Sequence, residues 1–491
     1  MRIVLQSKLF HPFAKYFGFQ RCLQHDDIRT KRSNDIIKDD SEFFKDKEIQ
    51  NQDNLNIDNK INSVTGWVPY IKDKTSLIVY NFFSVNYSIR KNFILQINVI
   101  KNHNICFVRY LTLKQNEIID LSKDFFKDCK IDNGLIVLKL FHPSIPKDHG
   151  GHGGQFRFWA KYFDQDQGYL STVHSLPLGY SRFSKAQIHS RNYFPSNFKT
   201  KNKIMNVSLT KHEISHKNDL LRIGGYNLVL DENNNPHSIW HLGPAYKKSK
   251  QNIDLKINYQ CFWVPKNKNI NPRIIIDDKE TLLNQNESQK LSIKILDNNK
   301  IINQKEISYK GFFEKSINEI FGLNYQFEHI IFLEFNSRQF TYAQINYDND
   351  YHGDQVHTHE SNFILNEKEL LIGVKNDLKR NCRKFMHLHL TKNYDNYLII
   401  HNLKLKDSEL KKIKIRLIAN DFFEKVELFE LLDNTMIKVF DINKLFEKEI
   451  NLKNLKRAIV QVESEDGNFN CSLLCQNINN DKIIVDHLTG G

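Results

Sequence analysis

Three stretches of this chain run through the same succession of apolar and polar segments, and that recurrence limits the available folds more than any other feature. The first reads CFVRYLTLKQNEIIDLSKDFF, then GLIVLKLF, then GQFRFWAKYFDQDQGYLSTVHSLPLG. The second reads LSIKILDNNKIINQKEISYKGFFEKSI, IIFLEF and RQFTYAQINYDNDYHGDQVHTHES. The third reads VELFELLDNTMIKVFDINKLFEKEI, AIVQVE and GNFNCSLLCQNINNDKIIVDHLTGG. Each begins with a strand-like run, and in the second and third a tight polar turn follows (Asp297-Asn298-Asn299 and Asp433-Asn434) before a return strand. Asn and Asp tolerate the positive φ that hairpin turns require. A short segment around Phe125, Phe313 or Phe446 comes next, then an apolar strand and a final strand closing on His174, His357 or His487. Each stretch also has an upstream apolar run: SLIVYNFFSV, DLKINYQCFWV and NYLIIHNLKL.

Short runs of Val, Ile, Phe and Tyr bounded by polar turns are strand patterning, and seven or so in 100–140 residues fit an antiparallel β-sandwich. The expected fold is therefore mainly β: three tandem antiparallel β-sandwich units related by internal repetition, behind a polar N-terminal leader. The expected boundaries are 1–63 for the leader, 64–195 for the first unit, 196–219 for a basic connector, 220–365 for the second unit and 366–491 for the third. Parallel α/β folds fit poorly, because no long amphipathic stretches supply the crossover helices. With 491 residues, each unit has enough chain to bury its own core. No apolar run approaches the roughly 20 residues that span a bilayer, so a transmembrane segment is not expected. Seven scattered cysteines (22, 106, 129, 261, 382, 471 and 475), several inside apolar runs, read as reduced thiols in a cytoplasmic protein.

Twenty histidines are many for this length, and they cluster. His149 and His152 lie in a His-Gly-Gly-His-Gly-Gly run just before Arg157 and Trp159, and His174 ends the strand that follows. Bare glycine backbone can approach a ligand closely, or it can simply form a flexible loop. In the second stretch, His352, Asp354, His357 and His359 supply H-x-D and H-x-H spacings, which place two side chains on one strand face and could share a Zn or Fe ion. His387-Leu-His389 has the same spacing. The competing reading of a lone histidine repeated at strand ends is a hydrogen-bonded structural residue. Nucleophile-elbow, phosphate-loop, dinucleotide-binding and H-E-x-x-H motifs are absent.

The net charge of +13 is unevenly spread. Residues 181–217 carry eight Lys/Arg against one acid, and residues 366–416 carry thirteen against six, so each stretch holds +7 and the rest of the chain is nearly neutral. The first interleaves Arg182 and Arg191 with Phe, Tyr and His, a composition suited to an anionic contact and equally to a solvated connector. No recognition helix or zinc finger points to specific nucleic-acid reading. The leading functional expectation is a non-enzymatic protein that binds a protein partner or an anionic or glycan-like ligand, without a cofactor, through His149, His152, Arg157, Trp159, His174, Arg182 and Arg191. The alternatives are a metal-assisted enzyme using His352, Asp354, His357 and His359, and an assembly scaffold.

Overall fold

The computed structural model describes the elements named below together with residues 72–74, 81, 92, 114, 117, 122–132 (a short helical turn spans Lys123–Phe126), 156–157, 175, 265–267, 270–272, 288, 310, 322–328, 347, 388, 446–448, 455, 457, 478–479 and 482. The expected leader, residues 1–62, lies outside this set.

β1 (Ser63–Ile71), β2 (Thr75–Tyr80), β3 (Phe93–Lys101), β4 (Asn104–Leu113), β5 (Ile118–Leu121), β6 (Asn133–Phe141), β7 (Phe158–Asp164), β8 (Gly168–His174) and β9 (Leu176–Pro177) make two sheets, ordered β4-β3-β6-β1-β9 and β5-β2-β7-β8. β10 (Ala186–Arg191), β11 (Lys203–His212), β12 (Leu220–Leu230) and β13 (Pro236–Leu242) form a separate meander. Next come β14 (Asn258–Val264), β15 (Arg273–Asp277), β16 (Gln289–Asp297), β17 (Lys300–Tyr309), β18 (Phe312–Ser316), helix α1 (Ile317–Phe321), β19 (His329–Asn336), β20 (Ala343–Asn346) and β21 (Gln355–His357). These strands order as β17-β16-β19-β14 and β18-β15-β20-β21. β22 (Phe363–Leu365) and β23 (Leu371–Gly373) pair alone. The last set is β24 (Cys382–His387), β25 (Tyr394–His401), β26 (Leu410–Ala419), β27 (Glu424–Leu432), β28 (Ile437–Asp441), helix α2 (Ile442–Leu445), β29 (Ala458–Ser464), β30 (Asn470–Asn477), β31 (Ile483–His487) and β32 (Thr489–Gly490). They order as β27-β26-β29-β24-β32 and β28-β25-β30-β31.

The protein is thus mainly β, with all the described sheets antiparallel, and one strand order occurs in three sheet pairs. Among the described residues no helix is long and apolar enough to cross a membrane. The terminal histidines hold matching registers. His174 pairs with Trp159, whose other neighbour is Ile78; His357 pairs with Gln344 beside Ile275; His487 pairs with Ser472 beside Ile399.

Two sequence expectations shift. The Asp297-Asn298-Asn299 turn joins the β16–β17 hairpin, but Asp433-Asn434 leads from β27 into β28, which belongs to the other sheet. The first half of the second stretch was therefore one strand out of step with the other two. Polar turns look alike whether they close a hairpin or cross between sheets. For the same reason Phe313 falls in β18, whereas Phe125 and Phe446 fall at the helical turn one element later. In addition, β11 takes up ten of the 24 residues of the span 196–219 expected to be a connector. Its apolar residues Ile204, Val207 and Leu209 are diluted by Lys, Asn, Ser and Thr, which weakens the period-2 signal.

Burial explains why some strands read as continuous apolar runs. β2 is buried along its whole length, because one face lines the first sheet pair and the other meets the third. The sheet containing β25, β30 and β31 is also covered on both faces. Leu398, Ile400, Leu473 and Ile484 point into the core shared with the first pair, while Ile399, Leu474, Ile483 and Val485 join the core of the second. At about 1.5–3 kcal/mol per fully buried aliphatic side chain, that second face is a substantial tie between the second and third pairs. β17, at the edge of its sheet, is exposed along most of its length.

Candidate functional site

The first and third sheet pairs meet on the outer face of β7 and β8. Trp159 stacks on His387 of β24 (5.8 Å between ring centroids, 28° between planes), and Tyr80 packs on Phe385 at 6.0 Å. Arg457, just before β29, donates to the Ile118 carbonyl at 2.6 Å. At the end of β8, His174 meets Asp486 of β31, 312 residues away in sequence. The His174 backbone N–H donates to Asp486 Oδ2 at 2.8 Å, and ring Nδ1 lies 3.0 and 2.9 Å from Oδ1 and Oδ2. A carboxylate facing the ring can only accept, so Nδ1 carries the hydrogen. Both side chains are buried.

Tyr226 of β12 brings the meander into the same junction. Its hydroxyl accepts from the Leu176 N–H at 2.8 Å and lies 2.9 and 3.0 Å from the Trp67 and His174 carbonyls, to which it donates. Burial pushes this phenol well above its usual range, which keeps the hydroxyl a donor. The Tyr226 ring meets Trp67 edge-on at 5.0 Å.

Arg157 enters two residues before Trp159, on the same face. Its position is fixed by the adjoining backbone: the Ser175 hydroxyl donates to the Phe156 carbonyl at 2.9 Å, and the Ser175 N–H donates to the Phe158 carbonyl at 2.7 Å. Gly66 of β1 makes room for that strand, because a Cβ there would sit 2.3 Å from the Phe156 oxygen. The guanidinium donates to the Ser175 carbonyl. Burial lowers the Arg157 pKa to about 10, opposed by Tyr226 and Asp486, so the group stays cationic at neutral pH. Lys161, further along the face, pairs with Asp120 at 2.8 Å; burial lowers its pKa and Asp120 opposes the shift.

Two donors here have no acceptor: Arg157 Nε and Trp159 Nε1 are buried without a hydrogen-bond partner. Buried N–H groups in native proteins are nearly always paired with protein, water or ligand, and leaving one unmet costs about 1–3 kcal/mol. A cation and two unmet donors two residues apart on the chain suit an acceptor-rich group such as a carboxylate, phosphate or sulfate.

The chain matches no protein-family model and no curated protein.

Of the residues singled out in the sequence, Arg157, Trp159 and His174 come together on this one face, in an inter-sheet junction rather than at an open surface. Trp159 and His174 are each 1% exposed. His149, His152 and Arg182 lie outside the described residues, as do His352, Asp354 and His359. Arg191 ends β10 and His357 ends β21, where the backbone alone is described. Among the described residues no group of three or more His, Cys, Asp or Glu side chains is placed to hold a metal ion. His387, whose spacing from His389 would allow a shared metal, is buried against Trp159, and His389 lies outside the described residues. Sequence reasoning missed Asp486 and Tyr226. Asp486 was visible as the residue before a terminal histidine, but a partner 312 residues away leaves no local pattern.

Proposed function

We propose that this is a non-enzymatic, cytoplasmic binding protein built from three tandem β-sandwich repeats, with an acceptor-rich anionic or glycan-like ligand held at the junction of the first and third. The observation that carries this reading is the pair of buried, unpaired donors, Arg157 Nε and Trp159 Nε1, on one strand face with His174. The Asp486 carboxylate is engaged by the His174 backbone N–H and ring Nδ1, and no hydrogen bond joins it to Arg157 among the described contacts. The shared strand order of the three sheet pairs supports repetition, and the buried Cys129, Cys471 and Cys475, none in a disulfide, suit a reducing compartment. The Gly-rich run 149–154 leads directly to Phe156 and Arg157, which puts His149 and His152 within chain reach of the ligand.

Calorimetric titration with glucuronate, inorganic phosphate and sulfate tests the reading. At least one anion binds the wild-type chain, and Arg157→Gln and Trp159→Phe each weaken it at least tenfold at unchanged melting temperature. Trp159→Phe keeps an aromatic ring on the strand face while removing the indole N–H together with the five-membered ring that carries it. Absence of binding by all three anions, or equal affinity in both variants, overturns the proposal.

A further inference from the structure

The loop between α1 and β19 carries a second feature, independent of the junction. Phe321, Tyr325, Phe327 and His329 form a ladder of ring contacts. Phe321 lies 6.2 Å from Tyr325, Tyr325 lies 5.8 Å from Phe327 and 5.3 Å from His329, and Phe327 lies 5.8 Å from His329. Tyr325 and His329 are buried, whereas Phe327 is 38% and nearby Leu323 54% exposed. Asn303 of β17 donates to the Tyr325 hydroxyl at 2.8 Å, and Lys305 donates to the Ile320 carbonyl at 2.6 Å, so the neighbouring edge strand holds the loop in place. Glu328 accepts from Trp263 Nε1 at 2.9 Å.

Isolated exposed apolar side chains need no explanation. His329 does. Its Nδ1 lies 2.7 Å from the Phe327 carbonyl, an acceptor only, so Nδ1 carries the hydrogen and Nε2 presents a lone pair. Burial lowers this imidazole's pKa, which keeps it neutral. Nε2 is buried and has no hydrogen-bond partner. The site therefore sets a buried, unmet acceptor in a ring whose centroid is 5.8 Å from that of the partly exposed Phe327. An ionised carboxylate or a phosphodiester has no donor for it, a quaternary ammonium has none either, and an aliphatic side chain would leave it unmet. A sugar offers both a flat C–H face and hydroxyl donors.

We infer that this surface is a saccharide-binding site, in which a pyranose ring lies on Phe327 and one of its hydroxyls donates to His329 Nε2. Binding requires that a side-chain rotation of Phe327, a picosecond-to-nanosecond event for an exposed side chain, open a path to Nε2. Asn324 and Gln326, both exposed on the same loop, supply further amide contacts to the remaining hydroxyls.

Saturation-transfer NMR on the full chain, with maltotetraose, cellotetraose and chitotetraose against tetramethylammonium and phosphate as controls, tests the site. At least one saccharide gives a transfer signal. Phe327→Ala, at an exposed position, weakens its binding at least tenfold without lowering the melting temperature. His329→Phe keeps ring packing, removes the acceptor and has the same effect on affinity. Arg157→Gln leaves this binding intact, which separates it from the junction ligand. The inference is overturned if no saccharide binds, if tetramethylammonium or phosphate binds as well as the sugars, or if affinity survives both loop variants. A crystal structure with ordered water on Nε2 and no saccharide response overturns it too.

Discussion

Removing the Asp486 carboxylate is the sharpest perturbation of the architecture. Asp486→Ala leaves two buried donors without acceptors, the His174 backbone N–H at 2.8 Å and ring Nδ1–H at 2.9–3.0 Å. Hydrogen bonds to a charged group contribute about 1.5–3 kcal/mol each. Two of them give about 3–6 kcal/mol. Because the two residues sit on different sheet pairs, the loss falls on the contact between the first and third pairs rather than within either core. Guanidinium unfolding followed by tryptophan fluorescence reads it: the wild-type chain unfolds with these two pairs coupled, whereas the variant loses that coupling and begins to unfold at lower denaturant. A double-mutant cycle with His174→Ala isolates the pair, with an expected coupling of about 1–3 kcal/mol. A cost below about 1 kcal/mol for Asp486→Ala, with additive effects in the cycle, would refute the view that this pair locks the junction.

Other consequences are as specific. Leu474→Ala, on the face of β30 that meets the second sheet pair, should cost about 2–5 kcal/mol in the same unfolding assay, while Lys438→Ala, at the exposed position of β28, should leave stability within about 0.5 kcal/mol. Gly66→Ala would place a Cβ 2.3 Å from the Phe156 oxygen, so it should lower the melting temperature and displace Arg157, weakening anion binding along with stability. Lys139 is buried and its pKa is lowered from 10.5 to about 8 by desolvation, so between those values the unfolded chain binds more protons than the folded one. Stability should therefore rise with pH across that window, by at most about 3 kcal/mol from this group, and Lys139→Met should flatten the rise in a pH series of denaturant midpoints.

Much of the fold was legible in the residues because strand burial leaves a period. The third segments of the repeated stretches align as β7–β8, β20–β21 and β30–β31, and their terminal histidines share one register. The first segments misaligned because DNN at 297–299 and DN at 433–434 are chemically equivalent turns with different destinations. The meander from β10 to β13 was hidden by lysines, which dilute a pattern without preventing a strand. At the site, Arg157, Trp159 and His174 stood out because cationic, aromatic and imidazole groups occur together on neighbouring strands. Their burial did not, since it depends on Phe385, His387 and Asp486 arriving from the far end of the chain. The loop ladder at Phe321–His329 gave no motif at all, because its meaning rests on which ring nitrogen already has a partner.

The indole N–H resonance of Trp159 tests the central claim most directly. In an ¹⁵N-resolved spectrum assigned through Trp159→Phe, titration with the tightest-binding anion should move this resonance in a saturable way and leave that of Trp263, whose N–H already donates to Glu328, in place. A Trp159 resonance that stays fixed at saturating anion, or that moves identically in Arg157→Gln, would contradict the account.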